Sequence, residues 1–503
     1  MRVMPLTEVL PYALYRADQV REFDRIAIEE FGIPGEQLME RAGVRAFQFI
    51  QERWPDVREI LVICGTGNNG GDGYVVARLA LQAGLRVRVL QLGDERKIRG
   101  DALLKAQAWR KLGQAIEPFE ALPGKPGLIV DALLGTGLER EVSGAWKSAV
   151  EQINRHQAPV FALDIPSGLH ADTGRIMGCA VMAEATLSFI GLKQGMFTGF
   201  GPDCCGEIGF DALEVPAQIY ARQLLACRRI DWRKESGRIP ARRRSAHKGQ
   251  FGHLLVAGGD QGYSGAVRMA AEGAARSGAG LVSVATHPEH AAWSNLGRPE
   301  LMTRGVSGKT QLHELLTRVD GVVLGPGLGR SPWGEMVYRA VVETELPLLL
   351  DADALYWLAQ QPVRRENWVL TPHPGEASRL LGWDIQRLQD NRFEACEALQ
   401  RRYGGVVVLK GAGSLICAGD SHPVALCSDG NPGMASGGSG DVLSGIVGAF
   451  MVQGFAAREA AELGVSLHAA AGDRAALQGE IGMLAGDLIA ELRQLLNREQ
   501  KRV

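Results

Sequence analysis

Short apolar runs alternate with helical patterns along most of this 503-residue chain, and that alternation limits the folds open to it. In the first half, residues 18–53 carry apolar residues at helical spacing in two stretches. Strand-like runs then occur at residues 60–64, 86–92, 128–131 and 160–164. Strands joined through helices are typical of a parallel sheet covered on both faces, so we predict an α/β fold.

The second half repeats this class of pattern. Strand-like runs are predicted at residues 253–257, 281–285, 321–325, 347–350, 368–371, 406–410 and 415–417, and helices at residues 265–277, 387–403, 458–477 and 486–497. Between the halves, residues 215–249 are rich in Arg and Lys and contain Pro216 and Pro240. A nucleic-acid patch would also be basic, but few aromatic residues are interleaved and the whole chain carries a net charge of −2. We therefore predict domains at 1–220 and 249–503, joined by a basic, solvated linker at 221–248.

Composition indicates an ordinary globular chain. Eight cysteines are scattered without a Cys-x-x-Cys pair, which argues against structural zinc and disulfides and favours a reducing compartment. Residues 1–20 show no continuous apolar core, and no run of about 18 apolar residues occurs. We expect a cytoplasmic location and no membrane or nucleic-acid partner.

Glycine-rich turns follow the predicted strands of the first half. The turn at residues 65–73 satisfies Gly-x-Gly-x-x-Gly through Gly65, Gly67 and Gly70. Its Asn-Asn-Gly-Gly-Asp core is more polar than a usual dinucleotide turn, so its oxygens are also suited to a hard cation.

Two carboxylates end neighbouring predicted strands. Asp131 leads into Gly135-Thr136-Gly137, and Asp164 is followed by Ser167. Because ligands bind beyond the carboxyl ends of parallel strands, these groups are candidate site residues. Each aspartate is alternatively a cap for the helix that follows it.

In the second half, the small residues 436–440 run directly into Asp441 and an apolar helical pattern. Glycines at a helix start let backbone N–H groups converge on an anion, to which the helix dipole adds. A carboxylate beside such a cradle suggests a base for a hydroxyl that attacks phosphorus. The alternative is a structural glycine turn with an ordinary first-turn acid.

Four further turns follow predicted strands of the second half. They contain Gly-Pro-Gly-Leu-Gly at 325–329, Asp-Ala-Asp at 351–353, Thr-Pro-His-Pro-Gly-Glu at 371–376 and Lys-Gly-Ala-Gly-Ser at 410–414. Lys410 with two glycines and a hydroxyl suits a nucleotide phosphate, although the order is not that of a Walker P-loop. His373 is either a site residue or a packed or capping histidine.

These motifs together resemble the bifunctional nicotinamide nucleotide hydrate repair family over roughly residues 10–500. The most specific are Gly-Asn-Asn-Gly-Gly-Asp-Gly (67–73), Asp-Ala-Leu-Leu-Gly-Thr-Gly (131–137), Asp-Ile-Pro-Ser-Gly-Leu (164–169), Thr-Pro-His-Pro-Gly-Glu (371–376) and Gly-Gly-Ser-Gly-Asp (437–441). The resemblance implies a Rossmann-like three-layer sandwich with NAD(P)H-hydrate epimerase activity, then a ribokinase-like three-layer sandwich with ADP-dependent dehydratase activity.

The resemblance also implies roles for individual residues. The epimerase half would bind the hydrated dinucleotide through Asn68, Asn69, Gly70, Gly71, Asp72, Gly135, Thr136, Gly137, Leu138, Glu139, Arg140, Glu141 and Asp164. The dehydratase half would contact the hydrate through Ala266, Gly327, His373 and Asp441, and hold the adenine nucleotide through Lys410, Gly411, Ala412, Gly413, Ser414 and Gly440.

The implied chemistry involves two carboxylates and two metals. Asp164 is the expected acid–base group of the epimerase, and Asp441 is the expected base of the dehydratase. Potassium would be held by Asn69, Asp131 and Ser167, while magnesium would accompany ADP with Glu376 as an indirect partner. We also expect a homo-oligomer.

Three other functions compete with this hypothesis. A small-alcohol kinase of the vitamin-precursor type, with an accessory first half, would share the setting of Asp441, but the turn at 371–376 and the fused first half favour the dehydratase. A first half reduced to a binding module would not need Asn69, Asp131, Asp164 and Ser167 together. An ordinary NAD-dependent oxidoreductase would need a hydride-acceptor site, which the sequence does not show.

Overall fold

The computed structural model describes residues 10–419 and 421–497. The chain divides into two compact units between Arg228 and Arg229. The outer ends of the two predicted domains, residues 1–9 and 498–503, lie outside the described residues.

The first unit alternates strands and helices. Its strands are β1 (Ala13–Leu14), β2 (Glu59–Cys64), β3 (Arg86–Gln91), β4 (Glu117–Pro118), β5 (Leu128–Ala132), β6 (Val160–Leu163), β7 (Ala185–Phe189) and β8 (Glu207–Asp211). Its helices are α1 (Ala17–Glu29), α2 (Gly35–Arg53), α3 (Asn68–Gln82), α4 (Gly100–Lys111), α5 (Gly144–Arg155) and α6 (Gly201–Cys205).

One parallel sheet organises this unit, in the order β4-β3-β2-β5-β6-β7-β8. Apolar side chains of α1 to α4 form a core on one face, and those of α5 form a smaller core on the other. Helices therefore cover both faces, and the carboxyl ends of β2, β5, β6 and β7 meet at one edge of the sheet.

The second unit contains the longer series of elements. Its strands are β9 (Cys227–Ile230), which begins just before the boundary, β10 (His253–Ala257), β11 (Leu281–Thr286), β12 (Met302–Gly305), β13 (Gly321–Leu324), β14 (Leu348–Leu350), β15 (Trp368–Leu370), β16 (Val406–Leu409), β17 (Ser414–Cys417) and β18 (Val424–Cys427). Its helices are α7 (Trp232–Glu235), α8 (Ser264–Arg276), α9 (Lys309–Leu316), α10 (Pro332–Val342), α11 (Asp353–Gln360), α12 (Pro374–Leu381), α13 (Ile385–Asp390), α14 (Arg392–Tyr403), α15 (Ser439–Val452), α16 (Ala457–Ala475) and α17 (Ala485–Leu495).

The sheet of this unit is mixed. Strands β12, β11, β10, β13, β14, β15 and β16 are neighbours in that order and all parallel, whereas β17 and β18 continue the sheet antiparallel. Helices α8, α15, α16 and α17 pack over it around a core of small and branched apolar residues. The predicted α/β class is confirmed in both units.

Some local predictions differ from the structure. The helix predicted at 387–403 is two helices, because the Asn391 side chain accepts the N–H of Glu394 and starts α14 anew. The stretch 221–248 is not uniformly solvated, since it contains β9 and α7, with Ile230 and Trp232 buried. Strand β7 escaped prediction because Thr186 and Ser188 interrupt its apolar pattern, although both are buried.

Within the described residues, no helix is long and apolar enough to span a membrane. None of the eight cysteines, all of which lie in the described part of the chain, forms a disulfide.

Candidate active sites

A cavity of about 1220 Å³ opens at the carboxyl edge of the first sheet. It is walled by α1, by the turns after β2, β5 and β6, and by the end of β7. Predicted site residues that line it are Asn68, Asn69, Asp72, Gly135, Thr136, Gly137, Leu138, Glu139, Arg140, Glu141 and Asp164. The fold thus brings segments separated by up to about a hundred positions in sequence to one place.

Gly70 and Gly71 do not line this cavity. A Cβ at Gly70 would overlap the carbonyl oxygen of Gly65, and one at Gly71 would press on the sulfur of Met39. These glycines let α3 pack closely against the turn after β2 and against α2. Their contact with a ligand stays a prediction.

Asp131, Ser167 and Asn69 lie together beneath the cavity. The Ser167 hydroxyl donates to Asp131 Oδ1 (2.6 Å), and its backbone N–H donates to Asp131 Oδ2 (2.8 Å). Burial raises the pKa of Asp131 to about 6, while these hydrogen bonds oppose the rise. Neither aspartate predicted as a possible helix cap, Asp131 or Asp164, caps a helix.

One oxygen of this cluster has no partner. Asn69 Nδ2 donates to the carbonyl oxygen of Leu134 (3.1 Å), whereas Asn69 Oδ1 is buried with no hydrogen-bond partner among the described residues. A buried oxygen without a donor is costly unless a cation supplies the missing interaction. The donor set of this cluster therefore fits a weakly hydrated monovalent cation.

Asp164 is held in a strained conformation at the cavity wall. Its backbone has φ +63°, a left-handed value that costs a non-glycine residue energy. Its Oδ1 accepts the N–H of Phe189 (3.0 Å) and forms a close ion pair with Lys193, whose side chain is completely buried. The Lys193 ammonium also donates to Ser188 Oγ (3.0 Å), so the charge of Asp164 is compensated locally.

Asp24 and Asp72 are among the other carboxyl residues that line this cavity. Burial and the charge of Asp164 raise the pKa of Asp24 to about 6, against the opposing effect of Lys193. Burial, with Asp164 and Asp24, raises the pKa of Asp72 well above its usual value. The cavity thus holds carboxyl groups of different acidity beside one buried cation.

In the second unit, Lys410 is the centre of an ionic cluster. Its Nζ lies 2.7 Å from Asp351 Oδ1 and 4.0 Å from Glu376 Oε2. The Ser444 hydroxyl, from α15, donates to Asp351 Oδ2 (2.7 Å). Burial opposes the charge of Lys410, but the two carboxylates outweigh it and raise the pKa of Lys410.

The N-terminus of α15 faces this cluster. Gly438 has φ +91° and starts the helix, and a Cβ at Gly440 would lie 3.3 Å from Lys410 Nζ. Burial and the charge of Asp351 raise the pKa of Asp441 to about 7, against Lys410. A helix N-terminus with an adjacent lysine and a carboxyl that titrates near neutrality suits phosphoryl chemistry.

His373 is both a helix cap and a neighbour of the cluster. Its ring Nδ1 accepts the backbone N–H of Gly375 (3.0 Å), and the backbone N–H of His373 donates to Glu376 Oε2 (2.8 Å). Burial and the charge of Lys410 lower the pKa of His373, so its imidazole is neutral at neutral pH. The capping role that the sequence left open is present, and the ring remains more than half exposed.

The turn after β13 joins the same region. A Cβ at Gly327 would lie 3.2 Å from that of Ala266, so the predicted pair is adjacent. The N–H of Gly329 donates to Asp353 Oδ2 (3.1 Å), and Asp353 is one of the charges that raise the pKa of Asp441. Asp353 thus links the turn after β13 to the carboxyl of Asp441.

Helix α14 supports the nucleotide turn predicted at 410–414 through hydrogen bonds from Arg392. Buried Arg392 donates to the carbonyl oxygens of Leu409 (3.4 Å), Lys410 (3.3 Å) and Gly413 (3.3 Å). The Ser414 hydroxyl donates to Gly411 O (3.1 Å) at the mouth of the turn. One buried guanidinium thus fixes the backbone that carries Lys410.

The sequence missed several residues that the site depends on, among them Asp24, Lys193 and Arg392. Asp351 follows a strand and belongs to a strand-end turn that the sequence did indicate. Lys193 and Arg392 could not be found from the sequence, because their partners lie 29 and 17 to 21 positions away and meet them only in the folded sheet.

No group of three or more His, Cys, Asp or Glu residues suited to a metal ion occurs within residues 10–419 and 421–497. Glu376 already accepts a backbone N–H and faces Lys410. The carboxylate oxygens of Glu376 are ligands of the kind that magnesium prefers.

The two sites define a class: a two-unit α/β enzyme acting on nucleotides at the carboxyl edges of its sheets. Family profiles agree. Residues 35–195 match the family described as YjeF-related protein N-terminus, and residues 254–494 match NAD(P)H-hydrate dehydratase.

Known proteins resemble either nearly the whole chain or about half of it. A bifunctional NAD(P)H-hydrate repair enzyme of Coxiella burnetii is 48% identical, over 96% of this chain and 99% of its own. A ribokinase-like superfamily protein of Enterococcus faecalis is 26% identical and superposes with a TM-score of 0.51 over 55% of this chain and 97% of its own. A Bacillus subtilis ADP/ATP-dependent NAD(P)H-hydrate dehydratase, crystallised with ATP and Mg²⁺, is 27% identical, with a TM-score of 0.49 over 54% of this chain and 98% of its own. The chain belongs to the family of bifunctional NAD(P)H-hydrate repair enzymes.

Proposed function

We propose that the chain repairs hydrated nicotinamide nucleotides in two steps. It interconverts the R and S hydrates of NADH and NADPH, and it dehydrates the S hydrate to NAD(P)H with ADP, giving AMP and phosphate. The observation that carries this proposal is the presence of two complete, chemically different sites in one chain that matches a bifunctional relative almost end to end. We assign epimerisation to residues 1–220 and dehydration to residues 249–503.

In the epimerase site, Asp164 is the acid–base carboxyl that exchanges a proton with the hydrate. The substrate carbon bears a hydroxyl and the ring nitrogen, so its configuration inverts if the hydroxyl leaves as water and water returns. Potassium would be held by Asn69, Asp131 and Ser167, and would supply a fixed positive charge beneath the cavity. The unpartnered Asn69 Oδ1 supports this assignment.

In the dehydratase site, Asp441 removes the proton of the hydrate hydroxyl as that oxygen attacks the β-phosphorus of ADP. Phosphate then leaves from the ring carbon and the dihydropyridine forms. Phosphate is a good leaving group, whereas hydroxide is a poor one. The cradle of Gly440 and residues 410–414 would bind the phosphates, with Lys410 as counter-charge. Magnesium, when bound to the nucleotide, neutralises phosphate charge during transfer.

Residues on the hydrate side complete this site. Ala266 and Gly327 would let the ligand approach the backbone closely, and neutral His373 would hydrogen-bond it through its exposed edge. Glu376 is the proposed indirect partner of magnesium. The proximity of Glu376 and His373 to Lys410, and of Ala266 to Gly327, supports these roles.

The decisive measurement follows the absorbance of reduced nicotinamide, starting from a mixture of both hydrate epimers with ADP and magnesium. Wild type should convert the whole mixture in one fast phase. Asp164→Ala should give a fast phase and a slow phase, and Asp441→Ala should give none. A wild-type chain that leaves the hydrates unchanged but phosphorylates a small alcohol would replace this function with that of a kinase.

We propose further that the chain works in the cytoplasm as a homo-oligomer. All eight cysteines are free, as a reducing compartment would keep them. Leu477, Ile481 and Leu484 are exposed within eight positions, as at a contact between copies. Light scattering that gives a mass of 54.2 kDa would contradict the oligomer.

A further inference from the structure

Asp24 is a carboxyl group that the motifs of this chain do not include. It lies on α1 and lines the same cavity as Asp164, which is contributed by the turn after β6. Burial and neighbouring charges act on Asp24, but in the described part of the chain no hydrogen bond or ion pair holds its carboxyl. A carboxyl free to move at the wall of a reactive cavity is available to a ligand.

Asp164 is placed differently. Its Oδ1 accepts the N–H of Phe189, and the buried ammonium of Lys193 sits directly against it. That ammonium is fixed in turn by Ser188 Oγ (3.0 Å) and the carbonyl oxygen of Phe189 (3.3 Å). Because Oδ1 of Asp164 already accepts the N–H of Phe189 and contacts the Lys193 ammonium, a proton for the leaving hydroxyl is better supplied by a separate group.

We propose that Asp24 is the second catalytic carboxyl of the epimerase site, donating a proton to the departing hydroxyl while Asp164 takes one from the water that returns. This inference rests on the proposed epimerase function and identifies the donor in that same site. Lys193 is a positioning residue, since it acts through Asp164.

The step balances without a further reagent. The carbon–oxygen bond breaks with its electron pair on oxygen, which takes the Asp24 proton and leaves as water, while the nitrogen lone pair forms a carbon–nitrogen double bond. Water then adds to the opposite face, the double-bond electrons return to nitrogen, and Asp164 receives the released proton. In the other direction the two carboxyls exchange roles, and cavity water returns the proton between turnovers.

The surroundings of Asp24 suit this role. Facing it from neighbouring elements are Asp72 of α3, Asp164 and the Lys193 cation, with Arg21 on its own helix also lining the cavity. With a pKa raised to about 6, Asp24 can cycle between its two forms near neutrality. Burial and the charges of Asp164 and Asp24 raise the pKa of Asp72 well above its usual value, which favours hydrogen-bonding over proton transfer.

The test uses the full-length chain and one purified hydrate epimer without ADP, so that dehydration cannot occur, and follows the other epimer by chromatography. We expect kcat of Asp24→Asn to be at least about 100-fold below the wild-type value, while KM changes by less than about threefold. Glu29 is an exposed residue on the same helix and lies outside the cavity, so Glu29→Gln should behave as wild type. Dehydration of the S hydrate by Asp24→Asn with ADP should be unchanged, which reports an intact second unit.

Two further readouts separate a chemical role from a structural one. Added formate should restore epimerisation in Asp24→Ala, and wild-type kcat/KM should fall tenfold per pH unit above about pH 6, a limb that Asp24→Asn lacks. Asp24→Asn within threefold of wild type, or a wild-type profile flat from pH 5 to 8, overturns the role of Asp24 and leaves the epimerase standing. A wild-type chain no faster than the reaction without protein removes the epimerase itself.

Discussion

At the scale of single residues, Asp441 sets the pH at which the dehydratase works. Because burial and Asp351 raise its pKa to about 7, only about a tenth of Asp441 is ionised at pH 6. A base acts in its ionised form, so kcat should rise about tenfold from pH 6 toward a plateau above pH 8. The measurement is kcat for the S hydrate with saturating ADP between pH 5.5 and 9.

Asp441→Asn should remove that rise and lower kcat by about 10² to 10⁴. Epimerisation by the same variant, measured without ADP, is the internal control and should be unaffected. A variant that keeps the wild-type profile would mean that another group is the base, with Glu376 next in order because burial raises its pKa to about 7 as well.

Asn69 contributes the oxygen by which the cation site can be tested. Its buried Oδ1 lacks a donor in the described part of the chain, so Asn69→Ala should weaken a cation bound there while removing an unsatisfied oxygen. The potassium concentration for half-maximal epimerisation should rise about 10-fold or more. Titration of the potassium-free enzyme with KCl at constant ionic strength measures this, and an unchanged midpoint would place the cation elsewhere.

At the scale of elements, α14 supports the nucleotide turn through one guanidinium. Arg392→Gln would leave three carbonyl oxygens near Lys410 with weaker partners, at a cost of about 2 kcal/mol to the second unit. We expect the KM for ADP to rise about 10-fold, while the KM for the hydrate changes less.

A neighbouring arginine gives the matched control. Arg387 stacks over Trp383 and is more than half exposed, so Arg387→Gln should change stability by less than about 0.5 kcal/mol and leave the KM for ADP unchanged. Equal effects of the two variants on ADP would show that general destabilisation, rather than the turn, is responsible.

Helices α8 and α15 approach each other through a glycine. A Cβ at Gly445 would overlap the carbonyl oxygen of Ala270, so Gly445→Val should destabilise the second unit by about 3 kcal/mol or prevent its folding. Gly486→Ala in α17 meets nothing within 4 Å and should be neutral or stabilising by up to about 1 kcal/mol. Urea unfolding followed by a probe in the second unit distinguishes the two.

At the scale of the whole molecule, the two sites lie in separate units, each with its own core. We therefore expect the activities to be lost independently. A mixture of the Asp164→Ala and Asp441→Asn chains should convert both hydrate epimers in one phase, because each supplies the activity that the other lacks. A mixture that still shows the slow phase of Asp164→Ala would indicate that hydrate must pass within a single chain.

The sequence predicts a feature well when the residues that define it are close together along the chain. Strand-end turns such as 371–376 and 437–441 carry their chemistry within a few positions, so the sequence alone could indicate them as parts of a second site. Asp24 and Arg392 belong to ordinary helical patterns, and nothing adjacent marks them. The polar strand β7 and the break at Asn391 depend on hydrogen bonds that pattern alone does not contain.

The backbone of Asp164 has a consequence for descendants of this chain. At φ +63°, glycine would relieve roughly 1 kcal/mol of strain, but it would leave the buried Lys193 ammonium without its carboxylate, which costs more. A lineage that stopped needing the reaction would gain stability only by replacing both residues, so Asp164 and Lys193 should be lost together. Whether this pair still stands is then a two-letter record of a working epimerase.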